Sequence, residues 1–395
     1  MSSICFVAST PFTVNAFLVG HLMALAEFHD VSLCINPELY PLSPVLDPKK
    51  VKVIPVPLQR QLAFASDIRS LVCLWRVFRR HRFDVVHSFT PKAGLLAMIA
   101  AFLARVPKRF HTFTGQIWVT QKGISRWLYK NIDRVIAKLS TRVFADSASQ
   151  IRFVVEQGIC PEAAISQLGT GSISGVDLSR FTPNLLIREE LRHRYGAKSH
   201  SCVFLFMGRL CKDKGIFDLL RAFKTLSHHD QEAQLWLVGP DEEGIQAQVL
   251  ARGRGEGIDK GVNARIQWLG RTFEPEAFMA AADALVLPSY REGFGSVIIE
   301  AAACGLPTVA YRIDGVVDAV VESFTGLLSP AGDEKALAAN MRALIEDPLV
   351  REQMGRHARK RVLEHFSSQT VTQAWLSFYA QELGSFASTL PPDRS

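Results

Sequence analysis

A chain of 395 residues exceeds what one ordinary hydrophobic core organises and sets the expectation of two domains. Its composition, 48% hydrophobic and 21% charged, excludes a disordered or fibrous chain. The net charge of +7 is unevenly placed: residues 1–190 carry +9 and residues 191–395 carry −2, so the first half is expected to face something anionic.

The chain opens on "SICFVAS", which reads directly as a buried strand with no charged leader before it. Further strands are expected at 31–35, 51–54, 84–87, 108–113 and 142–145. The longest apolar run, "AGLLAMIAAFLA" over 93–104, is too short for a bilayer, which needs about 20 residues. Seven scattered cysteines without a Cys-x-x-Cys pair exclude a disulfide or zinc framework and fit a reducing compartment. A cytoplasmic chain without a spanning helix is therefore expected. The segment "GTGSISGVDLSRFTPN" reads as a linker, after which the rhythm restarts with "SCVFLFMGR", "AQLWLVG", "ARIQWLG", "ADALVLPS" and "LPTVAY". Continuous apolar strands, each followed by a helix-length segment, predict an α/β protein with parallel sheets covered on both faces. The first strand is followed by "ASTPFTVNAFLVG" instead of Gly-x-Gly-x-x-Gly, which disfavours a dehydrogenase.

Ligands of parallel sheets bind beyond the carboxyl ends of strands, and two such ends carry suitable chemistry. "FLFMGRLCKDKG" offers Arg209 and Lys214, a pair of cations able to hold a diphosphate. An isolated pair of this kind is more often a surface ion pair, but the second end changes the balance. "LVLPSYREGFGSVIIEAAACG" supplies Gly293 and Gly295 ahead of a helix that starts near Ser296 and turns its positive end toward the loop. Glu300, placed among apolar residues, is costly unless a ligand completes its hydrogen bonding, and a ribose diol is a natural partner. Glu292, in the loop, can serve another polyol.

These stretches, with "TGLLSPAGD", run in order over residues 203–333 and resemble the family 4 retaining glycosyltransferases of the GT-B fold. The resemblance implies two Rossmann-like domains facing a cleft: an acceptor-binding domain over 1–180, a nucleotide-sugar-binding domain over 181–365, and a C-terminal helix at about 366–387 returning to the first. It implies that Glu292 contacts the donor sugar, Glu300 the nucleotide ribose, and Arg209 and Lys214 the diphosphate. Phe294 completes the loop of Glu292, Gly293, Gly295 and Ser296 on the donor side.

In the first half, "HTFTGQIW" puts His111 at a strand end, where the family often has a histidine near the reacting sugar; a structural role is about as common for such a residue. The expected acceptor side comprises Thr13, Lys92, His111 and Thr114, and the expected catalytic pair is His111 with Glu292. "VVHSFTPKAGLLAMIAAFLARVPKRFHTFTGQIW" and "GTGSISGVDLSRF" are similar to the subgroup that builds capsule, O-antigen and lipid-linked glycans. That similarity implies a UDP-activated amino sugar such as UDP-GlcNAc or UDP-GalNAc, and a polyprenyl-diphosphate-linked acceptor. The glycine-rich turn of many relatives is replaced by Ser9, Thr10, Pro11 and Thr13. With two cations for the leaving diphosphate and no Asp-x-Asp at a strand end, no metal cofactor is expected.

Two stretches pair apolar with basic residues. One is 67–83, with Ile68, Leu71, Val72, Trp75 and Phe78 beside Arg69, Arg76, Arg79 and Arg80; the other is 124–142, with Trp127, Leu128, Lys130, Arg134 and Lys138. Each alone is an ordinary packing helix, but together on the basic half they predict peripheral docking on the anionic inner face of the cell membrane. A nucleic-acid partner is not expected, since the basic residues are interleaved with apolar ones and no recognition motif appears. The rival readings are a non-catalytic nucleotide-sugar-binding protein and a GT-B nucleotide-sugar epimerase. A pyridoxal-phosphate phosphorylase would need an anchoring lysine in a matching context, which the sequence does not offer.

Overall fold

A computed structural model of the chain describes residues 1–59, 64–227, 232–251 and 260–384. The chain divides into two compact units, Met1–Gly175 together with the segment from Ser368 onward, and Val176–Ser367. The division falls inside the Gly- and Ser-rich stretch read as a linker.

The first unit holds seven parallel strands: β1 (Ser3–Val7), β2 (Asp30–Ile35), β3 (Val51–Pro55), β4 (Val85–Phe89), β5 (Lys108–Phe113), β6 (Arg142–Ala145) and β7 (Ile165–Ser166). Their order is β3-β2-β1-β4-β5-β6-β7, so the sheet reverses its direction of growth between β1 and β4. The two-residue β7 is too short and too mixed in composition to be legible in the sequence. Successive side chains of a strand point to opposite faces, and β1 shows what this does. Cys5 and Val7 enter a core with Leu74, Phe78, Ala97 and Ile136, while Ile4 and Phe6 enter another with Leu22, Leu25, Trp375 and Tyr379. The apolar run "SICFV" is thus a strand buried on both faces.

The helix Ser368–Leu383 supplies the second of those cores with Val371, Trp375 and Tyr379, spaced four apart on one face. Trp375 stacks on His21 at 4.6 Å between ring centroids, and Tyr379 Oη lies 2.7 Å from His87 Nδ1. Removing the Trp375 ring would cost about 3–5 kcal/mol at such a buried site. The helix expected at 366–387 starts two residues later than anticipated, and 385–387 lie outside the described residues.

The second unit holds six parallel strands: β8 (Val203–Met207), β9 (Gln234–Val238), β10 (Ile266–Gly270), β11 (Ala284–Leu287), β12 (Thr308–Arg312) and β13 (Gly326–Pro330). The order β10-β9-β8-β11-β12-β13 again reverses, here between β8 and β11. The strand β13 coincides with "TGLLSPAGD", a stretch noted for its motif and not for its periodicity. Largely enclosed Asp283 fixes the start of β8: it accepts from Val203 N at 2.7 Å and pairs with Arg188 at 2.5 Å and Arg192 at 2.9 Å. Burial pushes that carboxyl up, and the two guanidinium groups more than offset it, holding it below its ordinary value.

Among the described residues no helix is long and apolar enough to cross a membrane.

Candidate active site

The reversal point between β8 and β11 is where the two motif-bearing strand ends of the second unit meet. After β8 the chain makes a short turn over Lys212–Lys214 and passes through Gly215 at φ 66°. A Cβ at Gly215 would stand 2.0 Å from the carbonyl oxygen of Pro288, just past β11, so only glycine lets the turn lie against that strand end. Tyr290 N donates to Asp213 O at 2.9 Å and completes the join.

The join brings two of the expected donor residues together. Lys214 Nζ donates to Glu292 Oε1 at 2.5 Å, with only 18% and 12% of the two side chains exposed. Arg209 takes a different partner: its Nη1 donates to Glu242 Oε2 at 2.7 Å, from the loop after β9. Sequence reasoning missed Glu242, although "GPDEEG" directly after the strand "QLWLV" placed acids at a neighbouring strand end.

The helix Ser296–Ala303 begins behind Gly295, which adopts φ 75° and provides no side-chain cap. In its first turn Ile298 N donates to Gly295 O at 2.8 Å, and the N–H groups of Ser296 and Val297 stand where a helix N-terminus can meet an anionic group. Gly293 and Phe294 are buried in the same loop, and the Phe294 ring packs on Phe366 at 5.2 Å. Phe294 thus anchors the loop, and its side chain is turned to the core. Glu300 lies one turn further along, partly exposed, and among the described residues nothing hydrogen-bonds its carboxylate. Burial pushes the carboxyl up to about 7; Arg180 pulls it down and Glu276 pushes it up. These two neighbours, like Glu242, were not singled out from the sequence. Arg180 pairs with Glu276 at 2.8 Å.

In the first unit the ends of β1, β4 and β5 carry neutral groups. Ser9 and Thr90 share a hydrogen bond of 2.8 Å across the reversal point, and Thr90 stands at φ 69°. Thr10 caps the helix Pro11–Phe17 by accepting from Thr13 N, and the two threonine hydroxyls are 3.0 Å apart. His111 is 1% exposed, with Nδ1 2.9 Å from Ser88 Oγ and Nε2 without a partner among the described residues. Its ring lies so close to Gly94 of the helix Pro91–Leu103 that a Cβ there would meet Cε1 at 2.4 Å. Burial pushes the imidazole down to about 3, so it is neutral at physiological pH. Lys92 pairs with Asp67 at 2.6 Å, and Thr114 is half-buried in the loop after β5.

Two parallel sheets, the second with cations, carboxylates and a helix start at its reversal point, define an α/β protein, and comparison with known proteins gives its class. Residues 18–171 match the model of the glycosyl transferase 4-like domain, and residues 187–361 match that of glycosyl transferases group 1. A capsular polysaccharide biosynthesis glycosyltransferase of Staphylococcus aureus, CapM, is 31% identical over 324 residues, 82% of this chain and 83% of the relative. The UDP-Gal:alpha-D-GlcNAc-diphosphoundecaprenol alpha-1,3-galactosyltransferase of Escherichia coli is 28% identical over 345 residues, 86% of each chain. The fold is shared with Anabaena HepE, solved in complex with UDP, at a TM-score of 0.76 and 18% identity over 96% of this chain and 100% of that one. It is shared also with WaaG, a glycosyltransferase involved in lipopolysaccharide biosynthesis, at a TM-score of 0.70 and 17% identity over 95% and 98% of the two chains. The chain belongs to the glycosyl transferases group 1 family and has the GT-B fold.

Proposed function

We propose that the enzyme moves an N-acetylhexosamine from a UDP-sugar to a polyprenyl-diphosphate-linked saccharide in the synthesis of a bacterial surface glycan, with retention of configuration. The observation that carries this reading is the Lys214–Glu292 contact of 2.5 Å at the end of β8 and β11. A carboxylate and an ammonium held together with little exposure suit a ligand that is anionic at one end and rich in hydroxyls at the other. In the reaction the sugar's anomeric carbon loses its bond to the diphosphate oxygen and gains one to the acceptor oxygen. Arg209, Lys214 and the helix start at Ser296 stabilise the negative charge that grows on the leaving diphosphate, and the acceptor proton passes to that diphosphate. This needs no metal. Glu292 orients the donor sugar, and Glu300 accepts from the ribose hydroxyls. Thr13, Lys92, His111 and Thr114 belong to the acceptor side, where buried, neutral His111 acts by position and not as a titrating base.

The proposal includes peripheral attachment to the anionic inner face of the cell membrane. It is supported by exposed Ile68, Val72 and Trp75 beside exposed Arg69, Arg76, Arg79 and Arg80, and by exposed Ile124, Trp127 and Leu128 beside Lys122 and Arg126. The apolar stripe expected on the first of these helices is narrower than the sequence suggested, because Phe78 is buried in the core with Leu74. Both helices flank and pack on Pro91–Leu103.

Release of UDP from UDP-GlcNAc, UDP-GalNAc and UDP-Gal, with polyprenyl-diphosphate-linked mono- and disaccharides and with EDTA present, tests this reading. Acceptor-dependent release from an N-acetylhexosamine donor is expected. Release from UDP-Gal alone would replace the donor sugar, and complete loss with EDTA, restored by Mg²⁺, would overturn the metal-free reaction.

A further inference from the structure

Asp218 lies in the first turn of the helix Ile216–Ser227, directly behind the turn that carries Lys214. It is 7% exposed, and a carboxylate so enclosed is costly unless its oxygens are bonded. Those bonds converge from separate elements. Oδ1 accepts from Arg221 Nη2 at 2.7 Å, one turn along the same helix, and Arg221 in turn pairs with Glu334 at 2.7 Å. Oδ2 accepts from two tyrosine hydroxyls, Tyr290 Oη at 2.5 Å and Tyr311 Oη, from β12, at 3.0 Å. The two tyrosine rings meet at an angle with centroids 5.6 Å apart.

Phenylalanines at 290 and 311 with an apolar residue at 218 would fill the same space without burying a charge, so packing alone does not call for this cluster. What sets it apart is the place of Tyr290, two residues before Glu292 in the loop after β11. One stretch of chain is tied to the other by Tyr290 N on Asp213 O at 2.9 Å and by Lys214 Nζ on Glu292 Oε1 at 2.5 Å. A donor that engages Lys214 and Glu292 must share or open the second of these ties. The backbone bond alone leaves the loop free to pivot. Tyr290 Oη on Asp218 adds a second fixed point, set on a helix, at which that pivot stops. Groups that act on a transferring sugar must keep their places to within about 0.5 Å. We propose that Asp218 is a positioning residue of the donor site: through Tyr290 it fixes the loop of Glu292 against the turn of Lys214 while the donor is bound. This inference rests on the donor reading of Lys214 and Glu292.

Removing Asp218 itself would leave Arg221 and two hydroxyls without their acceptor and endanger the fold, so the test acts on the hydroxyls. Tyr290→Phe and Tyr311→Phe each take one hydroxyl from the same carboxylate oxygen and keep the ring, but only Tyr290 belongs to the donor loop. Both should lower the thermal unfolding midpoint of the full chain by a similar amount. In calorimetric titration with UDP, Tyr290→Phe is expected to weaken binding about tenfold, and Tyr311→Phe to leave it within about twofold. Lys214→Ala should itself weaken UDP, and adding Tyr290→Phe to it should cost little more, because the contact being positioned is already gone. A loss of UDP affinity in Tyr311→Phe as large as in Tyr290→Phe, no loss in either, or a Tyr290→Phe loss undiminished beside Lys214→Ala would overturn the positioning role and leave the donor reading in place. Unaltered UDP affinity in Lys214→Ala would overturn the donor reading and the positioning role with it.

Discussion

In the second unit the ends of β8 and β11 meet through charge, Lys214 on Glu292 at 2.5 Å, with Arg209 on Glu242 at 2.7 Å. In the first unit the ends of β1, β4 and β5 meet through neutral groups, Ser9 on Thr90 at 2.8 Å and Ser88 on His111 at 2.9 Å. Both sheets follow one plan, parallel with a reversal in strand order, so the difference is chemical. A transferred sugar leaves a diphosphate behind, and charge growing on it calls for fixed cations in a partly dry site. On the proposed function an acceptor hydroxyl needs positioning, which neutral hydroxyls and an uncharged imidazole can supply, with the charge of Lys92 held in its ion pair with Asp67.

The sharpest way to break this contrast is to remove the charges. Lys214→Ala, Glu292→Ala and Arg209→Ala should each lower turnover by about a hundredfold with the fold intact, the usual size for a lost transition-state contact. Near-normal steady-state rates in any two of them would separate the charged strand ends from the chemistry.

Glu300 gives a smaller and more specific effect. Its carboxyl is pushed up to about 7 by burial. Ribose hydroxyls donate to the ionised form, so below about 7 binding must first release a proton. UDP affinity should then fall as pH drops from 8 to 6, and Glu300→Gln should weaken UDP about tenfold at pH 8 and flatten the dependence. The nucleotide's own titration is common to both proteins and cancels. A parallel slope in calorimetry of the two would remove Glu300 from the ribose site.

How much of this was legible depended on whether the chemistry sat in one stretch of chain. Lys214, Glu292, Gly295 and Glu300 lie in two continuous motifs, each a strand end with its loop, so residue type and spacing singled them out as candidates. Glu242, Arg180 and Glu276 come from three other segments, and only the packing of loops beside β8 and β10 relates them to the site. For the same reason the ring of Phe294 could not be told from a ligand contact until Phe366, at the end of the distant helix Pro348–His365, was seen against it. His111 was legible as a strand-end histidine, but its burial under Gly94 depends on how the helix Pro91–Leu103 settles on β4 and β5. The stripe on 67–83 was read two residues too wide, with Leu71 and Phe78 packed on the core, because periodicity alone does not say where the buried arc stops.

Surface charge extends the contrast, since the basic excess belongs to the first half of the sequence. Binding to vesicles containing anionic phospholipid is expected at low ionic strength, weakened severalfold by Arg76→Glu with Arg79→Glu and largely lost at high salt. Co-sedimentation that ignores both salt and charge reversal would leave the basic half without a lipid partner.

The smallest expected effect compares a raised carboxyl in each unit. Asp133, 3% exposed, accepts from Trp118 Nε1 at 2.7 Å, and burial pushes its carboxyl up to about 7, with the Trp118 bond pulling the other way. An acid whose folded pKa exceeds its unfolded value binds its proton more tightly when folded. The stability tied to that proton is fully present below the unfolded value of about 4 and is lost as pH rises toward 7. Asn at this position keeps an oxygen for Trp118 and has no charge to bury. Asp133→Asn should therefore gain on the order of 1 kcal/mol over the unmodified protein at pH 8 and nothing at pH 4. Glu300→Gln should show the same pH-dependent gain in thermal unfolding. The two differ in what they cost: Glu300→Gln is stabilised at the expense of UDP binding, whereas Asp133→Asn should bind UDP unchanged. If both variants lost UDP affinity equally, the raised carboxyls would be common consequences of burial, and Glu300 would lose its claim to a ligand.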